Sequence, residues 1–323
     1  MVKITDDYMD PVQRQAFQAS GIKVPNFAQA ELYQPTHNAP VWLHFGGGNI
    51  FRVTHADIMQ RLIEQGLTDQ GIIDVDTFSE DLVLKIYRPF KNRTLSVTLE
   101  PQGTEKKLIV TVTEALTVAK RDPTDLARLK EIFRAPSLQL VTFTITEKGY
   151  ALTDLDGNYL PMIQSDRDSG PETVQSAMGY VTMGLFERWQ AGQYPLALVS
   201  TDNFSHNGEV LKQSIWDIAS AWVEKGYADP KFLDYLNSES TISFPITVID
   251  KITPNPDPDV AHELEKSGYE DYQLVPSPRG VNLATFVNAE ATEYLVIEDK
   301  FPNGRPALEK AGVYFGDVEM IDK

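Results

Sequence analysis

Three groups of residues in this 323-residue chain have the types and spacing for chemistry. The first is Phe45-Gly46-Gly47-Gly48-Asn49, which ends the apolar run 41–45 and opens a helical pattern. Without a Cβ at Gly46 and Gly48 the backbone can turn tightly and come close to a phosphate. The free N–H groups and positive dipole end of the following helix then favour the negative charge. The fingerprint for this task is G-x-G-x-x-G, and Phe51 occupies its third glycine position, so the cluster is equally what an ordinary turn contains. The second is Asp76, which closes Gly71-Ile-Ile-Asp-Val-Asp76 and lies 28 residues beyond Gly48, where ~20 is usual. A carboxylate there can accept hydrogen bonds from an adenosine ribose and repel a 2′-phosphate, or simply close a strand-end turn. The third is the pair Asn203 and Asp250, one just after the apolar run 196–200 and the other ending the run 246–249. Ligands of open α/β sheets sit at the carboxyl ends of strands. An amide there can donate to an oxygen that becomes negative, and a carboxylate can orient a group or relay a proton. The plainer alternatives are helix capping by Asn203 and turn chemistry at Asp250.

The elements that must position these residues are legible as alternating periodicities. After the glycine turn, Ile58, Leu62 and Ile63 space an amphipathic helix that Gly66 can stop, and the run ending at Asp76 follows. Strand, glycine turn, helix, strand and acid is the order of a dinucleotide-binding βαβ unit. The β-rich runs 94–99 and 108–112 flank Gln102-Gly103 and predict a hairpin or meander. Leu126, Leu129 and Ile132 fall at helical spacing, 138–145 is a buried strand, and 196–200 leads into a helix carrying Leu211, Ile215, Ile218 and Trp222. His44 lies inside the first strand and is expected to be a satisfied core histidine rather than a base. The fold predicted is α/β, a doubly wound Rossmann-type sheet over 41–243. Residues 1–40, interrupted by Pro11, Pro25 and Pro35, are expected to form an arm on it. Residues 244–323, broken by Pro245, Pro254, Pro256 and Pro258, are expected to begin a substrate-side domain.

Composition narrows the function. Lys and Arg number 29 against 46 Asp and Glu, a net charge of −17, which offers no basic stripe for nucleic acid or an anionic membrane. The absence of cysteine removes disulfides, iron–sulfur clusters, thiolate zinc sites and cysteine nucleophiles. The five histidines show no metal-ligand spacing, and neither a phosphate-binding P-loop nor a G-x-S-x-G elbow occurs. No apolar run has membrane-spanning length and the N-terminus lacks a signal peptide's apolar core, so a cytoplasmic protein is expected.

The segments together resemble the mannitol dehydrogenase family, the polyol-specific long-chain dehydrogenases and reductases that include fructuronate reductase. The blocks that carry the resemblance are His44-Phe-Gly-Gly-Gly-Asn-Ile-Phe-Arg52, Thr144-Ile-Thr-Glu-Lys-Gly-Tyr150, Asp202-Asn-Phe-Ser-His-Asn-Gly208 and Phe244-Pro-Ile-Thr-Val-Ile-Asp-Lys-Ile-Thr-Pro254. A fifth and most specific block is Ile297-Glu-Asp-Lys-Phe-Pro-Asn-Gly-Arg-Pro-Ala-Leu-Glu-Lys-Ala-Gly-Val313. The resemblance implies metal-independent hydride transfer, with NAD as cofactor, between a secondary alcohol and a ketone on an open-chain sugar or sugar acid. D-Mannonate/D-fructuronate leads, with D-mannitol/D-fructose next. It implies that Phe45, Gly46, Gly47, Gly48 and Asn49 bind the cofactor, with Gly46 and Gly48 lining the pyrophosphate, and that Asp76 lines the adenosine ribose. It further implies that Asn203 helps bind the substrate oxygen and that Asp250 lies beside the substrate. The family's catalytic lysine lies in a Lys-x4-Asn-x2-His stretch that has no counterpart here, so Lys323 is not assigned that role. The chain is expected to be the front portion of a longer enzyme, inactive alone. A nucleotide-binding module without turnover and a ligand-free structural protein are the rival readings, and oligomeric state is left open.

Overall fold

Short runs of β-branched and aromatic residues, each ending in a turn signal, assemble into six parallel strands. In the computed structural model, which describes residues 1–317, their order across the sheet is Val112–Thr117, Ile72–Asp76, Trp42–Phe45, Leu140–Phe143, Leu196–Ser200 and Ile242–Ser243. The chain enters at Trp42–Phe45, works outward to Val112–Thr117, then crosses back to Leu140–Phe143 on the other side. The direction of winding therefore reverses between Trp42–Phe45 and Leu140–Phe143, and a crevice belongs at their carboxyl ends.

Strand alternation sorts the side chains into two cores. Leu43, Phe45, Ile73, Val75, Val141 and Phe143 pack with the helices Pro123–Arg134, Ala177–Gly192 and Asn207–Glu224. Trp42, Ile72, Leu140 and Val199 face the other way, onto Ile58, Met59 and Leu62 of the helix His55–Glu64. Both faces are covered, as a parallel sheet requires. Two of these helix starts are capped by side chains. Asp122 accepts from the Thr124 and Asp125 N–H groups ahead of Pro123, and Ser176 accepts from that of Gly179.

A second sheet holds Ile22–Lys23, Gly103–Ile109, Thr94–Glu100 and Phe286–Glu290 in that order. The hairpin expected at Gln102-Gly103 forms, with Glu100 opposite Gly103. The run 108–112 divides, however: Leu108 and Ile109 end the hairpin, while Val112 opens the edge strand of the large sheet. Val2, Ile4, Tyr8, Phe17 and Ile22 build a third core with Leu95, Val97, Leu264, Tyr269 and Phe286, so the N-terminal residues are woven into this sheet. A third sheet joins Thr247–Asp250, Tyr294–Glu298 and Tyr314–Gly316. Among the described residues no helix is long and apolar enough to cross a membrane.

At the other end of the large sheet one cation closes the loops. The buried guanidinium of Arg188 donates to the carbonyls of Phe133, Ala135, Leu138, Tyr194 and Pro195 at 2.6–3.0 Å. These carbonyls end the Pro123–Arg134 helix and lead into two central strands. Burial pulls the Arg188 pKa down to about 10, which leaves it charged at neutral pH. Arg188→Met strands several buried carbonyls and should cost at least about 3 kcal/mol of unfolding free energy. Urea denaturation measures this; a loss below about 1 kcal/mol contradicts the assigned role.

Candidate active site

The glycine turn sits at the carboxyl end of the central strand and is fastened from beneath. Gly46 has φ +98°, and a Cβ there would lie 2.3 Å from the Thr144 carbonyl oxygen, so the close approach to the neighbouring strand requires glycine. Gly46 N–H donates to Val75 O and Gly48 N–H to Gly46 O. Gly46 O also accepts from Thr144 Oγ1 at 2.8 Å, and Gly47 O accepts from Tyr87 Oη at 2.6 Å. With both carbonyls drawn inward, the N–H groups of Gly47 and Asn49 have no acceptor among the described residues. The Cβ position of Gly48 faces open space. Asn49 begins the helix Asn49–Val53, and its side-chain nitrogen lies 3.5 Å from Pro254 O. Phe45 turns its ring into the core against Phe143, at 5.3 Å between centroids, and offers the site only its backbone.

A buried polar layer supports this turn. His44, Asp74 and Thr142 lie opposite one another in register, on the face covered by the helix His55–Glu64. His44 Nε2 reaches Gly46 O at 3.1 Å and Thr144 Oγ1 at 2.9 Å; because a carbonyl only accepts, Nε2 carries the proton. Nδ1 then accepts from Thr142 Oγ1 at 2.7 Å, and that hydroxyl takes the Trp42 indole proton. Burial pushes the His44 pKa well below its usual value, so the ring is a neutral scaffold, as expected of a core histidine. Phe51 stacks on it at 4.2 Å between centroids, and His55, whose pKa burial lowers to about 3, lies tilted against it at 4.7 Å.

Two acids lie under the turn. A Cβ at Gly47 would meet the Asp74 carboxyl at 2.2 Å, so this position has no room for a side chain. Asp74 is fully buried, neither oxygen has a hydrogen-bond partner among the described residues, and burial raises its pKa well above normal. Asp76, at the strand end, uses Oδ1 to accept from the Phe78 and Ser79 N–H groups, which is the turn role. Oδ2 has no partner among the described residues and is free for a ligand.

The blocks beyond the crossover are tied together by residues on either side of Asn203. Asp202 accepts from the N–H groups of Ile145 and Thr146 at 3.0 Å and from Tyr150 Oη at 2.7 Å. The bond from its own N–H to Asp202 Oδ1 holds Thr146, a β-branched residue, at φ +63° and ψ 159°, a conformation that costs ~1–3 kcal/mol. Asn207 donates to Asp202 O, Thr247 O and Thr247 Oγ1 and accepts from Thr247 N–H, pinning the next strand as it leaves the sheet. Asn203 is exposed, and its side chain makes no hydrogen bond among the described residues. The Asn207–Glu224 helix begins at His206 without a side-chain cap, so Asn203 does not cap it. Asp250 is exposed at the end of Thr247–Asp250, opposite Tyr294. The structure thus sets Asp74 against Gly47 and Asp76 at the end of the adjoining strand, beside Val75, whose carbonyl accepts from Gly46 N–H, while Asn203 and Asp250 lie on segments tied down by Asp202 and Asn207. Sequence reasoning missed Asp74, Tyr87, Asp202 and Asn207. Asp74 could have been found as an acid inside a buried strand; the others have partners 40 to 57 positions away. Lys323 lies outside the described residues.

A doubly wound sheet with a glycine turn at its switch point and an acid ending the next strand defines a Rossmann domain of the dinucleotide-binding type. The chain belongs to the mannitol dehydrogenase family: the model of that family's Rossmann domain matches residues 41–310. It is 44% identical over 315 residues to D-mannonate oxidoreductase of Thermotoga maritima, covering 96% of this chain and 58% of that protein. It is 29% identical to polyol:NADP oxidoreductase of Gluconobacter oxydans, covering 91% and 57%. The ternary complex of Pseudomonas fluorescens mannitol 2-dehydrogenase with NAD and D-mannitol superposes with a TM-score of 0.74 at 27% identity, covering 92% and 56%. The chain spans a little over half the length of these relatives.

Asp74 makes stability depend on pH. Burial, aided by the Asp76 charge and opposed by that of Arg52, raises its folded pKa above the unfolded value near ~4. The folded state binds this proton more tightly, so its contribution is full below pH ~4 and is lost as pH rises through the folded pKa. Asp74→Asn cannot ionise and should melt at a higher temperature than the native chain at pH 8, with the gap narrowing towards pH 4. Thermal melts at the two pH values decide this; a gap that does not change with pH overturns it.

Proposed function

We propose that residues 45–49 and Asp76 bind NAD(H), and that the protein interconverts a secondary alcohol and a ketone on an open-chain sugar or sugar acid. The observation that carries this is the inward fastening of the Gly46 and Gly47 carbonyls, which leaves N–H donors at Gly47 and Asn49 for a pyrophosphate. The cradle fits such a group: open space lies over Gly48, and Asp76 has an oxygen to spare for a ribose hydroxyl. Bound nicotinamide supplies the hydride. Asn203 donates to the substrate oxygen as it gains negative charge, and Asp250 orients the substrate beside it. D-Mannonate/D-fructuronate is the leading pair, supported by the 44% identity to D-mannonate oxidoreductase, with D-mannitol/D-fructose next. A cytoplasmic location goes with this reading.

Titration of the chain with NADH, followed by fluorescence, should show saturable binding. Asp76→Ala should weaken it about 10- to 150-fold, the loss of one charge-assisted hydrogen bond. Absence of binding by the native chain sinks the proposal.

Asn203 separates catalysis from folding, because its exposed amide bonds to none of the described residues. In the whole enzyme, Asn203→Ala should keep the melting temperature within about 2 °C while lowering kcat with the accepted sugar about 10²- to 10³-fold. Activity within about twofold of the native value would remove Asn203 from the site.

A further inference from the structure

Two residues beyond Asp76 stands Phe78, a phenylalanine 76% exposed. The guanidinium of Arg279 lies over its ring, 3.9 Å from the centroid. Arg279 comes from the tip of the small hairpin formed by Val275–Pro276 and Asn282–Leu283, far away in sequence. No carboxylate pairs with Arg279 among the described residues. Its charge nonetheless acts on Asp76, opposing the burial that raises that carboxyl. Core packing does not account for the pair, since ring and cation both remain in solvent.

We infer that Phe78 and Arg279 form the adenosine-side subsite of the dinucleotide, and that Arg279 determines how far a 2′-phosphate is admitted beside Asp76. This rests on Asp76 being the ribose acid of the proposed NAD site. A carboxylate alone at that point repels a 2′-phosphate. A guanidinium beside it brings the local charge near zero and presents planar donors that match a phosphate in bidentate fashion. The guanidinium stacked on a ring also makes a flat platform against which a purine can lie. The protein therefore accepts NADP(H) as well as NAD(H), and the ratio of the two affinities depends on Arg279.

The test is fluorescence titration of NADH and NADPH against the native chain, Arg279→Ala, Arg279→Glu and Phe78→Ala. Both side chains are exposed, and thermal melts should confirm that the variants fold as the native chain does. Arg279→Ala should weaken NADPH about tenfold or more while NADH changes less than about threefold, and Arg279→Glu should weaken NADPH further. Phe78→Ala should weaken both nucleotides together, by about fivefold or more. If native protein binds NADH but the NADPH-to-NADH ratio is the same in the Arg279 variants, this inference falls and the dinucleotide site stands. If native protein binds neither nucleotide, both fall.

Discussion

The carboxyl ends of two neighbouring parallel strands meet at van der Waals limit where Gly46 faces the Thr144 carbonyl, and the crevice is shaped by that approach. Strands in a sheet keep a fixed spacing, so the backbone at Gly46 can turn across the adjacent strand only without a Cβ. His44 then locks the turn with a neutral ring whose two nitrogens are committed to the strand on one side and the turn on the other. A charged imidazolium would oppose the donor from Thr142, so the buried, proton-poor state of this histidine is part of the geometry. The same ring gives Phe51 a surface to stack on and sets how closely the following helix approaches the sheet.

Around this point the protein tolerates polar groups that are less than fully satisfied. Asp74, Thr54 Oγ1 and His55 Nδ1 lie buried without hydrogen bonds among the described residues, all near the glycine turn. Such groups weaken a fold and gather where a ligand or a close backbone approach dictates the residue. Asp202 works in the opposite sense. One carboxylate satisfies two backbone donors and a tyrosine, and so makes a rigid unit of two sequence blocks that lie more than fifty residues apart.

What was legible in the sequence follows the range of the forces involved. The glycine turn, the helix after it and the strand ending at Asp76 are specified by neighbours within a few positions, and their periodicities are strong. Val112–Thr117 escaped notice because an edge strand carries Thr113, Glu114 and Thr117 among its apolar residues, so its run is interrupted. The helix Ala177–Gly192 escaped for the reverse reason. Residues 178–188 are all buried, and a helix enclosed on every side shows little amphipathic contrast. Tyr87 and Arg188 have ordinary sequence surroundings; their importance comes from Gly47 O and from five carbonyls that only the fold brings to them. Asn203 and Asp250 were visible by their places after strands, but nothing local to them shows what they face.

The weaving of the N-terminus into the second sheet has a consequence in time. Val2, Ile4, Tyr8 and Phe17 are synthesised about 250 residues before their partners Leu264, Tyr269, Ala284 and Phe286. Val2 even takes its backbone bonds from Gly268 and Glu270. At typical synthesis speeds the interval is on the order of 15–50 s, during which the hairpin Thr94–Glu100 and Gly103–Ile109 offers the early apolar residues only part of their eventual shelter. The newborn protein must therefore carry an unfinished apolar surface throughout that interval, and that surface is what a chaperone would meet first.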